Sequence, residues 1–369
     1  MQTSAYLSEP SKHSTSLAPL PSRKELRTAL LAFSEKSTAK ALLLIAADYA
    51  LFFVGLGLVA APTPWLVKLA SSLLIWVQIA RLFIIGHDAC HQSLTANRNL
   101  NKWLGRLVFL PSLTPFKLWE LGHNMAHHGF TNLRGKDYVW APFSPEEFAQ
   151  LSRSRQWLER HYRSGGGHWL YYLIELWWKK LYFPARSQVG GRRSLFMGDC
   201  LTVSVFGVAW IGGLVAAAHI THQSAFLLVV LGFALPFVMW NGLMGFVIYV
   251  HHTDPQVRWY RDGTAWAKAQ PHLTATVHIQ FPRVIGAVLH NIMEHPVHHL
   301  DMTIPLYQLQ AAQKQLDALV PGQILKRQFS WAAYWACARS CKLFDYTTEQ
   351  WVPFDLPVDQ VIDSHLARR

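Results

Sequence analysis

The chain has 369 residues and a formal net charge of +12, and 51% of its residues are hydrophobic while only 15% are charged. Soluble proteins carry about 25% charged residues, so this composition excludes an ordinary soluble domain and indicates an integral membrane domain. A basic balance is compatible with nucleic-acid binding, but with apolar segments this long, anionic lipid headgroups and positively charged cytosolic loops explain it better. We therefore expect membrane lipids, and no nucleic acid, as partners.

The N-terminal part of the chain divides into a tail and the start of the domain. Residues 1–21 are rich in Ser and Pro and predict a disordered tail, and residues 22–369 are expected to form one membrane domain. Ser22 is followed three residues later by Glu25, which is the capping-box pattern. A basic helix is expected to begin there and to run along the membrane surface.

Four apolar segments are each long enough to cross a hydrocarbon core of about 30 Å, at about 1.5 Å per helical residue. Their approximate bounds are 41–61, 65–86, 201–218 and 226–250. Short loops join the first two and the last two, and Pro236 is expected to kink the last span. The predicted fold is an all-α integral membrane protein with four transmembrane helices in two hairpins.

The distribution of Lys and Arg predicts the sidedness of the protein. The tail, the segment 87–199 and the region after residue 250 carry these residues, whereas the two hairpin loops lack them. The positive-inside rule then places the N-terminus, the C-terminus and the intervening segment in the cytosol as a helical cap. Within this cap, 104–116 is expected to be re-entrant or interfacial, and 168–183 to be an interfacial helix.

Three histidine clusters follow or lie between these spans, and all are predicted on the cytosolic side. They contain His87 and His91; His123, His127 and His128; and His295, His298 and His299. Histidines three or four residues apart share one face of a helix, and neutral imidazoles there bind iron, zinc or copper. A lone pair of histidines is more often structural. Three clusters at span exits on one side instead predict a shared metal centre.

Further residues beside the clusters are candidates for the same centre. His252 follows the last span and His290 precedes the third cluster, so both are candidate ligands. Asp88, Asp254 and Glu294 lie within or next to the clusters. We expect these carboxylates to accept hydrogen bonds from the outer ring N–H of ligand imidazoles. The sequence has no P-loop, no Gly-x-Gly-x-x-Gly before a helix and no Cys-x-x-Cys pair, so neither nucleotide binding nor a disulfide framework is expected.

The chain resembles the membrane fatty acid desaturases, a superfamily with three histidine boxes, and within it the acyl-lipid branch that is similar to Δ12 and ω-6 enzymes. The matching stretches are HDACH at 87–91, HNMAHH at 123–128 and HPVHH at 295–299, supported by HHTDP at 251–255, HN at 290–291 and IPLYQL at 304–309. The resemblance covers about residues 40–315. Three boxes in this order, separated by two hairpins, are more specific than any single box.

The resemblance implies an oxidoreductase with two non-haem irons that uses O2 as co-substrate and introduces a double bond into a fatty acyl chain. Two electrons would come from an external donor of the ferredoxin or cytochrome b5 type, because the chain has no His-Pro-Gly-Gly haem motif. Carried over by position, the implied ligands are His87, His91, His123, His127, His128, His252, His295, His298 and His299, with His290 as a further candidate.

Two other functions are compatible with the same residues. A hydroxylase, acetylenase or epoxygenase of acyl chains would use the same site, because small shifts of the substrate decide the product. A metal transporter or other metal-binding membrane protein would need polar ligands inside the spans, which offer little beyond Asp48 and Asn241.

Overall fold

The computed structural model describes residues 19–185 and 194–355. The expectation of a disordered tail therefore falls, for residues 1–18, outside the described part of the chain. The expected capping box is present: the Ser22 hydroxyl accepts from the Glu25 backbone N–H, and the Glu25 carboxylate accepts from the Ser22 N–H. This pair starts the first helix, α1 (Arg23–Ala29).

The described chain is mostly helical. In order, the helices are α1 (Arg23–Ala29), a 3₁₀ turn (Leu31–Ser34), α2 (Thr38–Ala60), α3 (Trp65–Cys90), α4 (Arg98–Phe109), α5 (Phe116–Glu120) continued by a π-helix (Leu121–His127), α6 (Pro145–Ala149), α7 (Arg153–Tyr162), α8 (His168–Tyr171) continued by a π-helix (Tyr172–Tyr182), α9 (Ser194–Ile220), α10 (Ala225–Val229), a π-helical turn (Val230–Ala234), α11 (Leu235–His252), α12 (Gly263–Lys268), α13 (Pro271–Thr274), α14 (Arg283–Val288), α15 (His295–Leu300), α16 (Leu309–Leu319) and α17 (Trp331–Ser340).

Two small sheets add to the predicted all-helical fold. β1 (His278–Gln280) pairs in parallel with β2 (Lys326–Gln328), and β3 (Leu343–Asp345) pairs antiparallel with β4 (Gln350–Val352). Each strand has three residues, which is too short for a recognisable alternation of polar and apolar positions.

Four helices are long and apolar enough to cross a membrane, as predicted. They cover Thr38–Ala60, Trp65–Cys90, Phe196–Ile220 and Ala225–His252, and they pair as two hairpins. The second and fourth spans extend beyond the predicted ends at 86 and 250, so the histidines that follow the apolar residues still belong to the helices. The last span contains the π-helical turn just before Pro236, whose missing N–H cannot support a regular helix.

The charges inside the first hairpin are all satisfied by neighbours. The buried Lys68 ammonium donates to the carbonyls of Val59 and Ala61, which end the preceding helix. Deeper in the hairpin, Arg81 forms an ion pair of 2.6 Å with the buried Asp48. Arg81 also donates to the Val288 carbonyl at 2.7 Å, so it ties the hairpin to the segment before the third histidine cluster.

The cap differs in detail from the predicted pattern. The apolar stretch 104–116 is not one element, because α4 ends at Phe109 and the chain turns before α5 begins at Phe116. Pro111 and Pro115 flank this turn and cannot continue a helix. The predicted helix over 168–183 is present as α8 and its π-helical continuation, and it packs against the last span.

An aromatic cluster lies beneath the histidines and holds the two hairpins together. The ring of Phe83 on α3 lies 5.0 Å from Phe109, 4.8 Å from Trp119 and 5.4 Å from Trp240, between ring centres. Aromatic pairs at these separations add about 0.5–1.5 kcal/mol each beyond the area they bury. The ends of the second and fourth spans are therefore packed at one level, where the histidines emerge.

Candidate metal centre

The structure brings nine of the ten candidate histidine ligands together in two groups. The five-histidine cluster contains His87, His91, His123, His128 and His298, and the four-histidine cluster contains His127, His252, His295 and His299. Within each cluster, one ring nitrogen from every member lies within 4.8 Å of the others. Since the ends of two spans meet the cap here, all three sequence clusters lie at the same end of the helix bundle.

Regular helices account for part of this grouping. His87 and His91, four residues apart at the end of α3, have Nε2 atoms 3.2 Å apart. His295 and His299, four apart on α15, have Nε2 atoms 3.1 Å apart. His298, one residue earlier, points to the other cluster, where its Nε2 lies 3.1 Å from that of His128.

The second sequence cluster follows a different winding. Its helix is a π-helix, in which the His128 N–H donates to the His123 carbonyl five residues back. His123 and His128 therefore share a face, with their Nε2 atoms 3.1 Å apart, and His127 is directed to the four-histidine cluster. The predicted pairing of His123 with His127 on one face does not hold, because it assumed α-helical periodicity.

The arrangement of nitrogen atoms fits bound cations. Nε2 atoms face one another at 2.9–3.2 Å in both clusters. A neutral imidazole has one N–H, so these inward nitrogens cannot all pair by hydrogen bonds. Adjacent nitrogens at about 2.1 Å from a metal ion would themselves be about 3 Å apart, which matches the observed separations.

Burial keeps these imidazoles in the form that binds metals. It lowers the pKa of His91, His123, His128, His295, His298 and His299, and the neighbouring histidines lower it further. Burial acts because it penalises the charged imidazolium, and the neighbours act because like charges repel. The lone pairs are therefore available for coordination.

Three outer ring nitrogens of the four-histidine cluster have protein partners. His127 Nδ1 lies 3.2 Å from both carboxylate oxygens of the buried Asp137. His252 Nδ1 lies 3.1 Å from the Ala275 carbonyl, and His299 Nδ1 lies 3.3 Å from the Thr131 hydroxyl. An N–H donated outward places the lone pair on Nε2, which points into the cluster.

The carboxylates selected from the sequence lie elsewhere or fit less well. Asp88 has an oxygen 3.5 Å from His87 Nδ1, beyond a good hydrogen bond, and accepts from the Leu306 N–H at 2.6 Å. Asp254 pairs with Arg327 at 2.9 Å, and Glu294 pairs with His278 at 2.8 Å. The structure does not bring Asp254 or Glu294 to the outer nitrogens of either cluster.

His290 also lies outside both clusters. Its Nε2 is 2.8 Å from the Asp48 carboxylate, and its backbone is left-handed, with φ of +49°. It completes the Asp48–Arg81 ion pair inside the first hairpin instead of joining the other histidines.

Sequence reasoning missed Asp137 and Thr131, and it did not place Trp119 against a histidine. The Trp119 ring stacks on His123 with centres 4.7 Å apart. Asp137 lies ten residues after His127, away from all three clusters in sequence. A search for acidic residues across the whole loop after the second cluster would have found it.

Comparison with known proteins agrees with this geometry. Residues 63–331 match the fatty acid desaturase family. The chain belongs to that family. An sn-1 oleoyl-lipid 12-desaturase of a Picosynechococcus species is 30% identical over 318 residues, which cover 84% of this chain and 85% of the relative. A chloroplastic omega-6 fatty acid desaturase of Spinacia oleracea is 25% identical over 288 residues, covering 77% of this chain and 61% of the relative.

The family confirms that the protein is an enzyme, an oxidoreductase of the fatty acid desaturase type, and that the predicted resemblance to acyl-lipid desaturases is correct. Together with four apolar helices of spanning length, it also indicates a membrane protein.

Two adjoining cavities lead to the clusters of this desaturase. A large one, about 920 Å³, is lined by apolar residues that include Leu118 and Phe143 and by charged residues that include Lys136 and Arg155. A small one, about 40 Å³, is bounded by His123, from one cluster, and by His127 and His295, from the other. The residues common to both cavities are Gly122, Tyr138, Leu176 and Lys180. The two cavities therefore meet at these four residues, between a mixed polar and apolar surface and the two clusters.

Proposed function

We propose that the protein is a di-iron, O2-dependent desaturase of membrane acyl lipids. In this reaction a –CH₂–CH₂– unit loses two hydrogens and becomes –CH=CH–. One O2, two electrons and two protons are consumed with those hydrogens, and two waters form. The observation that carries the proposal is the division of nine histidines into two buried, convergent clusters in a chain of this family.

The five-histidine cluster would hold one iron and the four-histidine cluster the other. Imidazole nitrogen suits iron, and the burial of most of these rings supports that assignment. When bound, the metal pair would supply the oxidising power, drawn from O2, that unactivated methylene groups require.

The residues of the chain perform the remaining tasks. Asp137, Thr131 and the Ala275 carbonyl hold three imidazoles in fixed orientations through their outer nitrogens. Besides histidines, the small cavity is bounded by Trp119, Val139, Tyr172, Leu181 and Ile248 among others, which offer mainly apolar surface to methylene groups. Such a cavity positions an acyl segment and excludes water from the reacting carbons.

The relatives support a specific substrate and bond position. The Picosynechococcus protein is an sn-1 oleoyl-lipid 12-desaturase, and we infer a lipid-bound oleoyl chain as substrate and position 12 as the site of the new double bond. The large cavity supports a lipid substrate, because its charged and apolar lining residues suit a headgroup next to an acyl chain.

The clusters, the N-terminus and the C-terminus are proposed to face the cytosol. Support comes from the hairpin loops, which lack Lys and Arg, and from the Lys- and Arg-bearing segments at the cluster end of the bundle. A separate ferredoxin or cytochrome b5 type protein would then deliver the two electrons from the same side.

Product analysis tests the proposal. The protein is expressed with a compatible electron donor in a host that makes oleoyl but no dienoic lipids, and acyl chains are identified by mass spectrometry. We expect a dienoic chain with its new double bond at position 12, and two irons per purified chain. The matched control is His252→Ala, which should yield no dienoic product.

Other products would decide against desaturation. Acyl chains that carry added oxygen and no new double bond would identify a hydroxylase or epoxygenase, and a triple bond would identify an acetylenase. Zinc in a single site, with no acyl product, would favour a metal-binding membrane protein.

A further inference from the structure

The passage between the two cavities is narrow and is formed by few residues. Gly122, Tyr138, Leu176 and Lys180 line both the large cavity and the small one beside the histidines. We call these four residues the throat. Of them, only Tyr138 has a ring, and its position decides how wide the passage is.

Tyr138 is packed closely against Gly122. A Cβ atom added to Gly122 would lie 2.3 Å from the Tyr138 hydroxyl oxygen and 3.6 Å from its Cζ atom. The Lys180 ammonium lies 5.0 Å from the ring centre. The absent side chain of Gly122 therefore leaves the space that the phenol occupies.

Hydrogen bonds hold the backbone of Tyr138, whereas none holds its hydroxyl. The Tyr138 carbonyl accepts from the Tyr171 hydroxyl at 3.1 Å, and the next residue, Val139, donates its N–H to Asp137 at 3.0 Å. By contrast, the Tyr138 hydroxyl forms no hydrogen bond with any residue in 19–185 or 194–355. Packing against Gly122 and the Lys180 ammonium, and not a hydrogen bond, therefore holds the ring in place.

The small cavity cannot hold an acyl segment while the ring stays in place. At about 40 Å³ it has room for about three water molecules, each needing 10–15 Å³ on this measure. A chain that enters from the large cavity and reaches His123, His127 and His295 passes between the Tyr138 ring, Gly122 and Leu176.

We propose that Tyr138 is a specificity-determining residue that admits unbranched acyl chains through the throat to the metal centre and disfavours branched ones. The inference rests on the proposed function, because it takes the fatty acyl chain as the molecule that enters. Gly122 is the positioning residue that lets the phenol lie across the passage.

Competition between two lipids tests the role of Tyr138. One carries a plain oleoyl chain and the other an oleoyl chain with a methyl branch near its end, which enters the throat first. Equilibrium binding and product yield are both measured for the purified, iron-loaded protein. Tyr138→Ala should reduce the preference for the plain chain about 10-fold, the lower limit of what a close-fitting pocket gains from one methylene group.

Two variants serve as matched controls. Tyr138→Phe keeps the ring and should keep the preference for the plain chain. Phe130→Ala removes a ring that lines only the large cavity, and it should leave this preference unchanged. A Tyr138→Ala protein with the wild-type preference, or a Phe130→Ala protein that loses it equally, overturns the inference.

A double variant tests the contact independently. Gly122→Ala should slow turnover and weaken binding of the plain lipid, since its Cβ would overlap the phenol oxygen. The double variant Gly122→Ala/Tyr138→Phe should restore both turnover and binding. In it, the nearest remaining contact of the added Cβ, 3.6 Å to Cζ of residue 138, is an ordinary van der Waals distance. A double variant as impaired as Gly122→Ala contradicts the assignment. A further outcome is that the wild-type protein prefers the plain lipid in binding, with a preference that depends on Tyr138, and yet forms no double bond. That result would support the role of Tyr138 in the throat and contradict only the proposed desaturation.

Discussion

The two histidine clusters border the same small cavity, but their imidazoles are held in place in different ways. In the five-histidine cluster, the outer nitrogens of His87, His91, His128 and His298 have no hydrogen-bond partner among the described residues. In the four-histidine cluster, only the outer nitrogen of His295 lacks one. The first cluster depends on the number of its imidazoles and on their packing against one another. The second has fewer imidazoles, and polar groups around it fix their orientation.

This difference predicts unequal tolerance to change. A metal bound by four nitrogens has more room for a further ligand than a metal bound by five. An open coordination position is the usual feature of catalytic metal sites. The small cavity also touches two members of the four-histidine cluster and one of the other. The four-histidine cluster should therefore be the more sensitive to loss of a ligand or of an outer partner.

The largest expected effect comes from removing one ligand in each cluster. His252→Ala leaves three imidazoles in its cluster and His91→Ala leaves four. Both should lower desaturation by more than about 100-fold, since even partners of ligands are worth 10–100-fold. The iron content should distinguish the two variants. His252→Ala should contain about one iron per chain, while His91→Ala should contain nearer to two.

Metal analysis of the purified variants measures this difference, with the fold checked by thermal unfolding. Equal iron loss in His252→Ala and His91→Ala would remove the asymmetry between the clusters. Full iron in His252→Ala would show that it is not a ligand.

A smaller effect is expected at Asp137, which accepts from His127 in the four-histidine cluster. Asp137 also accepts from the backbone N–H groups of Asn132 and Val139 at 3.0 Å. Asp137→Asn keeps the shape but turns one acceptor into a donor, so it should weaken iron binding and turnover by about 10–100-fold. Titration of the metal-free protein with Fe(II) measures the affinity.

Glu294→Gln is the matched control, because Glu294 lies next to His295 of the four-histidine cluster in sequence but pairs with His278. Its iron affinity should remain within about 3-fold of wild type, below the range expected for partners of ligands. If Glu294→Gln weakens iron binding as much as Asp137→Asn does, orientation of the His127 imidazole by Asp137 is not what distinguishes the clusters.

The sequence was sufficient for the features that depend on local patterns. Apolar runs identified the four spans, and the three clusters identified eight of the nine histidines that the fold brings together. The position of His252 after the last span identified the ninth. The sequence did not reveal how they divide, because the π-helical winding of 121–127 sends His127 away from His123. Nor did it reveal the role of Asp137, which depends on the path of the loop after the second cluster.

His290 shows the same limit over a longer range. Its partner Asp48 is 242 residues away in sequence, and no local pattern relates the two. His290 was a candidate ligand because it precedes the third cluster in sequence. The fold instead directs it to an ion pair in the first hairpin, where Asp48 also meets Arg81.

The smallest expected effect on the metal centre is therefore that of His290→Ala. The substitution removes one hydrogen bond from a buried carboxylate that keeps its Arg81 partner, a loss of about 1–3 kcal/mol in unfolding free energy. Both irons should remain, and thermal stability should fall by a few degrees. Asp48→Asn should lower stability in the same direction, because it weakens the contacts to both His290 and Arg81. If His290→Ala instead loses iron with its stability unchanged, His290 acts on the metal centre. Its assignment to the ion pair of the first hairpin alone would then be wrong.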